Sequence, residues 1–239
     1  MFRSGALTNA SKEDILLLKE RYNLFATVDL RASYETASEP EPIWEGVYSY
    51  TCKIIDEQMM EKRLRAYADI LMDQTADPIK KMAVLLKSGA VSDKMYVEFL
   101  QGQTGKEGYR EFFSILLNTP KDAAVLWHCT YGKDRTGLAA MLILGTLNVD
   151  EETIMEDFLL TNVFFAQRID ATRKHLCKYI QDKDFLEELL VVDRGVCASY
   201  MQNAIRFIKE NYGDIVGYVK AELGLAEADI AKLRLLYTE

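Results

Sequence analysis

Apolar runs alternate with longer segments of helical periodicity along this chain. The run Ala123 to Trp127 predicts a short buried strand, and the almost continuously apolar segment Leu138 to Leu147 predicts a buried helix after it. Phe25 to Leu30 predicts another buried strand, and Trp44 to Ile55 has room for one or two more. The pattern therefore indicates a chain with both strands and helices.

Helical periodicity dominates the segment between the predicted strands. Apolar residues recur at helical spacing from Asp56 to about Gln101, and the methionines and aromatic residues among them are typical of core positions. Gly102, Gly105 and Gly108 predict a flexible turn before a helix from Tyr109 to Leu117. Further amphipathic segments predict helices in the last third of the chain.

The loop between the buried strand and the buried helix carries the chemistry. It reads His128-Cys-Thr-Tyr-Gly-Lys-Asp-Arg-Thr-Gly137, and residues 128–137 are called the Cys129 loop below. A strand, a tight loop and a helix aim backbone N–H groups and the positive end of the helix at an anion. The same groups and a nearby cation favour the thiolate that a nucleophilic cysteine needs.

Arg135 adds a second requirement for phosphate chemistry, because a planar guanidinium can hold two phosphoryl oxygens at once. The alternative is that Cys129 is a buried structural cysteine, which is the usual role of a free cysteine. The combination of the loop residues with the flanking strand and helix favours a phosphate-binding catalytic loop.

The Cys129 loop resembles the signature of cysteine-dependent phosphatases, and its form is most similar to that of the bacterial atypical tyrosine and lipid phosphatases. The resemblance implies an α/β fold of the cysteine-phosphatase type, with a mostly parallel central sheet flanked by helices. It implies one phosphatase domain over residues 1–239. A helical insertion at about residues 56–118 would then form a lid over the active site.

The resemblance also implies roles for residues of the loop. Cys129 would attack the phosphoryl group of phosphotyrosine to form a phosphocysteine, and Arg135 would hold the phosphoryl oxygens. Asp134 corresponds to the family's general acid, and Asp93 is the alternative, because dual-specificity enzymes place their acid at a comparable distance before the cysteine. The residues expected to bind substrate are Thr130, Tyr131, Gly132, Lys133 and Thr136.

Three residues outside this set are expected to support the loop. His128 would brace it through hydrogen bonds. Asp29 and Arg31, followed by Glu35, also resemble the family. A second interpretation stays open for these two, since an aspartate and an arginine at the end of a strand can simply pair with each other.

Lys133 leaves the substrate class open. A lysine at this position resembles lipid phosphatases, where an added cation meets a second phosphate, so phosphoinositides are expected beside phosphotyrosine, and phosphoserine and phosphothreonine are further possibilities. Alternatively, Lys133 only raises the local positive potential. Two other function classes compete: an inactive phosphate-binding adaptor, and a thiol redox enzyme such as an arsenate reductase, although no second cysteine lies near Cys129 in sequence.

The composition of the chain limits the classes of partner that it is expected to bind. The net charge of −8 argues against nucleic acid, and the absence of a long apolar run argues against integral membrane association. The four cysteines, Cys52, Cys129, Cys177 and Cys197, have no paired spacing, so no disulfide framework or zinc site is expected. We expect a cytoplasmic monomer without metal or cofactor, with secretion without a leader as an alternative.

The amino terminus departs from the family. In the family it resembles, a segment like Phe2-Arg-Ser-Gly5 follows a strand and a hairpin, and this upstream part is absent from the sequence. Either the start lies at an internal methionine or this branch has lost the edge element. The completeness of the sheet is therefore an open question for the structure.

Overall fold

The computed structural model describes residues 1–238 and contains one parallel sheet of four strands. The strands are β1 (Phe2–Ser4), β2 (Leu24–Asp29), β3 (Tyr48–Thr51) and β4 (Ala124–His128). Their order across the sheet is β1-β4-β2-β3, and each neighbouring pair is parallel. The α/β fold with a parallel central sheet, expected from the resemblance, is confirmed.

Helices flank the sheet and form most of the remaining chain. The first two are α1 (Lys12–Leu16) and α2 (Ser33–Ser38). Between β3 and β4 lie α3 (Glu57–Leu64), α4 (Ala68–Met72), α5 (Pro78–Lys87), α6 (Met95–Gln101) and α7 (Gln103–Asn118). After β4 follow α8 (Asp134–Thr146), α9 (Glu151–Phe164), α10 (Ala166–Leu176), α11 (Lys183–Asp193), α12 (Ala198–Tyr212), α13 (Ile215–Leu223) and α14 (Glu227–Tyr237). In residues 1–238, no helix has the length and apolar character needed to cross a bilayer.

The parallel register brings the carboxyl ends of the strands to one edge of the sheet. His128 of β4 lies beside Asp29 of β2 on one side and beside Ser4 of β1 on the other. Ligand sites of open parallel sheets form at this edge. The short strand β1 shows that the segment at the amino terminus adds an edge strand next to the Cys129 loop.

The segment between β3 and β4 divides into two parts that differ in burial. Helices α3 and α4 contain no buried residue and α5 buries only Val84, whereas α6 and α7 supply Tyr96, Tyr109 and Phe112 to the main core. The expected insertion at about residues 56–118 therefore contains both peripheral helices and core helices. A lid role for the peripheral part stays a prediction.

The structure contradicts the flexible turn that was expected at three glycines before the predicted helix. Gly105 and Gly108 lie inside α7 and are buried, and only Gly102 stands before it. A Cβ atom on Gly105 would lie 1.9 Å from the Phe99 carbonyl oxygen, and one on Gly108 would lie 2.3 Å from the Lys53 carbonyl oxygen. The glycines therefore allow close packing of a helix against backbone, and the expected flexible turn is wrong.

The segment from Trp44 to Ile55 contains one strand, β3, which agrees with the expectation of one or two strands. One helix boundary differs from the expectations. The helix expected from Leu138 begins four residues earlier, at Asp134. Asp134 and Arg135 consequently lie in the first turn of α8, where backbone N–H groups have no helical partner.

Candidate active site

The Cys129 loop connects the end of β4 to the start of α8 and is held in a tight turn. Gly132 at its centre has φ +68°, a conformation that favours glycine. A Cβ atom at this position would also lie 2.4 Å from the Ser4 carbonyl oxygen. The Ala6 N–H group donates to the Thr130 carbonyl oxygen at 3.2 Å. The segment that follows β1 therefore packs against the loop and fixes its path.

Cys129 lies at the base of the loop and is almost fully buried, with 1% of its surface exposed. Thr136, in the first turn of α8, is also buried, and its Oγ1 atom has no hydrogen-bond partner among residues 1–238. A buried hydroxyl without a partner is costly unless another state of the site satisfies it. We expect the thiolate of Cys129 to accept from this hydroxyl, and that contact stays a prediction.

Arg135 forms a two-point ion pair with Glu35. Its Nη1 and Nη2 atoms donate to the two carboxylate oxygens of Glu35 at 2.5 and 2.8 Å. Thr130 donates its hydroxyl to the same carboxylate, and the Ala32 N–H group does so at 2.9 Å. The Nε–H group of Arg135 has no protein partner in the described part of the chain. This edge of the guanidinium is free to bind another anion.

The ion pair and its surroundings shift the pKa values of Arg135 and Glu35. Burial alone would lower the pKa of Arg135, but the charge of the Cys129 thiolate and the bonds to Glu35 raise that pKa above its ordinary value. Burial would raise the pKa of Glu35, but the bonds and charge of Arg135 and the Thr130 hydroxyl lower it. Arg135 therefore stays a cation and Glu35 a carboxylate at neutral pH.

Asp134 lies in the first turn of α8 and is held by a tyrosine from another helix. The Tyr96 hydroxyl donates to Asp134 Oδ1 at 2.8 Å, and Asp134 Oδ2 lies 3.9 Å from Lys133 Nζ. Asp93, the alternative acid, lines a different cavity that contains no residue of the Cys129 loop, and it contacts Asn203. The geometry thus favours Asp134 over Asp93 as the proton donor.

Lys133 is turned into the protein. Only 4% of it is exposed, and its ammonium group donates to the carbonyl oxygens of Val191 and Gly195 at 2.5 and 3.1 Å. Val191 belongs to the last turn of α11, where unpaired carbonyl groups favour a cation. In this arrangement Lys133 ties the loop to α11, and two of its three ammonium donors are used by carbonyl groups.

His128, Asp29 and Arg31 form a buried network behind the loop. His128 Nε2 lies 3.0 Å from Glu41 Oε1, and its Nδ1 lies 3.9 Å from Asp29 Oδ1. Arg31 pairs with Asp29 at 2.7 Å and with Glu41 at 3.4 Å. Both interpretations of Asp29 and Arg31 are therefore compatible with the structure, since they pair with each other and also contact the group that holds His128.

The same network contains a group of potential metal ligands in residues 1–238. One ligand atom each of Asp29, Glu41 and His128 lies within 4.8 Å of the others. However, the guanidinium of Arg31 already contacts both carboxylates, and its positive charge opposes a metal cation there. The chemistry of this donor set does not fit a metal site.

A cavity of about 410 Å³ opens beside the loop and is called the loop cavity below. Polar groups of the loop contribute to one side, including Thr130, Asp134 and Arg135. Its other walls include apolar and aromatic side chains: Tyr34, Leu85, Val91, Met95, Tyr131 and Val192. Such a cavity can accept an aromatic group whose anionic end meets the loop.

Glu35 and Tyr96 are the residues of the site whose roles the sequence did not reveal. Glu35 had a signal, because it follows β2, and β2 neighbours β4 in a parallel sheet, so both strands end at the same edge. Tyr96 had none, since a tyrosine in an apolar stripe of a helix is typical of a core position. Only the packing of α6 against α8 brings its hydroxyl to Asp134.

Proteins of known family are similar to this chain along most of its length. The sequence model of the tyrosine phosphatase family matches residues 1–239. The chain is 27% identical over 237 residues to a putative tyrosine-protein phosphatase of Cupriavidus necator. The aligned region covers 98% of this chain and 77% of that protein. It is 27% identical over 156 residues to the triple specificity protein phosphatase PtpB of Mycobacterium tuberculosis, covering 61% of this chain and 55% of PtpB. A tyrosine-protein phosphatase of Nostoc commune is 23% identical over 235 residues, covering 97% of this chain and 70% of that protein.

Proposed function

Because this chain belongs to the tyrosine phosphatase family, we propose that it hydrolyses phosphotyrosine through a phosphocysteine formed on Cys129. The observation that carries this proposal is the arrangement of Cys129 and Arg135 around one loop. Cys129 lies at the end of β4, and Arg135 lies in the first turn of α8 with a free Nε–H edge. A nucleophile and a bidentate cation thus meet at a helix amino terminus.

In the first step, the sulfur of Cys129 attacks phosphorus, an S–P bond forms, and the P–O bond to the tyrosyl oxygen breaks. Backbone N–H groups of the loop and Arg135 bind the equatorial oxygens, where negative charge accumulates. The leaving oxygen takes a proton from Asp134, which becomes a carboxylate. A preformed loop is suited to this task because no dipoles need to reorganise during the step.

In the second step, a water molecule attacks phosphorus and the S–P bond breaks. The Asp134 carboxylate accepts a proton from this water, which restores the acid. The electron pair of the broken bond returns to the Cys129 sulfur as a thiolate. The Thr136 hydroxyl, which is buried and has no partner among the described residues, would donate to that thiolate and stabilise it.

The walls of the loop cavity support an aromatic phosphoester as the first substrate. Tyr34 and Tyr131 offer aromatic faces, and Leu85 and Met95 offer apolar contacts, close to the loop that would hold the phosphoryl group. The curated relatives are named as tyrosine phosphatases, and one of them as a triple specificity phosphatase. The proposal also includes phosphoserine, phosphothreonine and phosphoinositides as further substrates, which should be tested beside phosphotyrosine.

The two carbonyl bonds of Lys133 argue against its use as the reader of a second phosphate. Activity on phosphoinositides would then need a different cation or a movement of Lys133 away from Val191. Phosphotyrosine is therefore the substrate that the geometry supports best, and phosphoinositide activity is the less supported half of the proposal.

The alternatives differ from this proposal in what the site must contain. An inactive adaptor needs no nucleophile or acid, yet Cys129, Asp134 and Arg135 are all in place. A thiol redox enzyme needs a second reactive cysteine, and burial together with nearby carboxylates raises the pKa of the Cys52 thiol far above its ordinary value. We also propose a cytoplasmic monomer that uses neither metal nor cofactor, with secretion without a leader as an alternative location.

The decisive variant is Cys129→Ser, because a serine hydroxyl is not ionised near neutral pH while the rest of the loop is retained. We expect no measurable hydrolysis of a phosphotyrosine peptide, with retained binding of a phosphate analogue. Cys177→Ser is the matched control, since Cys177 is exposed and should leave the rate unchanged. Hydrolysis by Cys129→Ser at the wild-type rate would exclude the proposed mechanism.

A further inference from the structure

Tyr96 is a buried tyrosine whose hydroxyl contacts the side chain proposed as the acid. It belongs to α6, only 1% of it is exposed, and it donates to Asp134 Oδ1 at 2.8 Å. We propose that Tyr96 is a positioning residue that fixes the Asp134 carboxyl group so that its other oxygen carries the catalytic proton. This inference rests on the proposed function of Asp134.

The position of the Tyr96 hydroxyl is set by two further helices. Its ring packs edge-on against Phe158 of α9, with ring centroids 5.9 Å apart, and against Tyr200 of α12, with centroids 5.8 Å apart. Edge-to-face contacts of this kind favour one orientation of the ring. A tyrosine side chain has few rotatable bonds, so a fixed ring also fixes the direction of its hydroxyl. Three helices therefore determine where Asp134 Oδ1 is held.

The Tyr96 hydroxyl remains able to donate at the pH values where the enzyme would work. Burial, followed by the charge of Asp134 and the hydrogen bond to it, raises the pKa of Tyr96 well above its ordinary value. Its hydroxyl consequently remains protonated, and in the observed hydrogen bond it donates to Asp134 Oδ1. While this bond is formed and Asp134 is the acid, its proton is on Oδ2, the oxygen that lies 3.9 Å from Lys133 Nζ.

The titratable groups around Asp134 come from three helices and the loop. They are Lys133 and Cys129 of the loop, Tyr96 of α6, Tyr109 of α7 and Tyr200 of α12. Among them, only Tyr96 donates a hydrogen bond to the carboxyl group in the described residues, and only Lys133 forms an ion pair with it. Since the Lys133 ammonium is held by two carbonyl groups, Tyr96 is the group best placed to orient the carboxyl.

The hydrogen bond from Tyr96 to Asp134 Oδ1 can be removed without removing the ring, and this gives its role a measurable signature. In the variant Tyr96→Phe, the ring remains and only the donor is lost. The Asp134 carboxyl group should then be less well aimed at the leaving oxygen, which matters most for a poor leaving group.

The experiment compares wild type, Tyr96→Phe and Tyr218→Phe on a phosphotyrosine peptide and on an activated aryl phosphate. Tyr218→Phe is the matched control, because Tyr218 is a buried tyrosine whose hydroxyl donates to the Leu100 carbonyl oxygen at 2.8 Å and not to Asp134. For Tyr96→Phe we expect kcat on the peptide to fall roughly 10-fold, the size of one hydrogen bond to a charged group. KM and the rate on the activated ester should change little.

Equal losses on both substrates, or a leaving-group dependence that matches that of Tyr218→Phe, would overturn the role of Tyr96. A double variant adds a test that does not depend on folding yield, since Tyr96→Phe should have no further effect on leaving-group dependence once Asp134 is Asn. If Asp134→Asn itself shows no leaving-group dependence, the acid assignment fails. If it does and Tyr96→Phe does not, only the positioning role is wrong.

Discussion

At the residue scale, the guanidinium of Arg135 has to bind two partners, Glu35 and the phosphoryl group of the substrate. Glu35 occupies its Nη1 and Nη2 atoms, and a phosphoryl group would use the Nε edge. These demands are compatible because the guanidinium has five N–H donors in one plane. Glu35 thereby fixes the plane before the substrate arrives, and the cost of ordering a long arginine side chain is met during folding.

Asp134 provides the prediction that belongs to this scale. Replacing an acid should slow the reaction by about 10² to 10⁴ when the leaving group is poor. We expect Asp134→Asn to lose that factor on a phosphotyrosine peptide and to keep most of its rate on an activated aryl phosphate. Steady-state rates of both substrates provide the measurement, and Asp93→Asn provides the control. A loss that appears only in Asp93→Asn would move the acid to that residue.

At the scale of elements, β4, the Cys129 loop and α8 form the unit that determines the chemistry. Its strand, its tight loop and its buried helix were predictable because a local pattern of apolar residues and one glycine specifies them. The roles of Gly105 and Gly108 were not, because a glycine that allows two backbones to touch resembles one that makes a turn. The bonds of Tyr96 and Lys133 also depend on distant helices, which no local pattern reports.

Lys133 allows a test of how the loop is tied to α11. In Lys133→Met the side chain keeps its length, but the carbonyl groups of Val191 and Gly195 lose a charged donor. We expect the free energy of unfolding to fall by about 1.5–3 kcal/mol, as measured by urea denaturation. The exposed Lys121 gives the matched control, Lys121→Met, which should change stability by less than about 0.5 kcal/mol.

The same variant also examines the substrate class. If Lys133 only ties the loop to α11, phosphotyrosine and phosphoinositide hydrolysis should change by the same factor in Lys133→Met. A loss confined to the phosphoinositide, together with unchanged stability, would restore the second-phosphate role and contradict the structural role assigned here.

The whole molecule carries a net charge of −8, yet it would attract an anionic substrate. Arg135, the loop amides and the start of α8 must therefore provide a local positive potential within a negative overall field. Such a local potential requires the ionisable groups of the site to stay charged, and ion pairs between them favour their charged forms. The pair of Arg135 and Glu35 contains the residue proposed to bind the phosphoryl group, and its contribution to stability depends on pH.

The lowered pKa of Glu35 predicts the direction of that dependence. A carboxyl group whose pKa is lower in the folded than in the unfolded protein stabilises the fold fully above its unfolded pKa, about 4.3. This stabilisation is lost as the pH falls through the lower, folded pKa. Wild type should therefore be more stable than Glu35→Gln at pH 7, and the difference should shrink at strongly acidic pH.

Urea denaturation of both proteins across this pH range measures the effect. Glu45→Gln is the matched control, since Glu45 is exposed and its carboxylate has no ion pair among the described residues. A difference between wild type and Glu35→Gln that stays constant from neutral to strongly acidic pH would contradict the folded-state ion pair of Glu35.

The most direct test of the account is detection of the phosphocysteine itself. Wild-type protein is mixed with a phosphotyrosine peptide, quenched rapidly and digested, and the peptide that contains Cys129 is analysed by mass spectrometry. The account predicts a phosphoryl group on Cys129 during turnover, absent from Cys129→Ser and from wild type without substrate. Turnover with no phosphoryl group on Cys129, or with one on another residue, would contradict it.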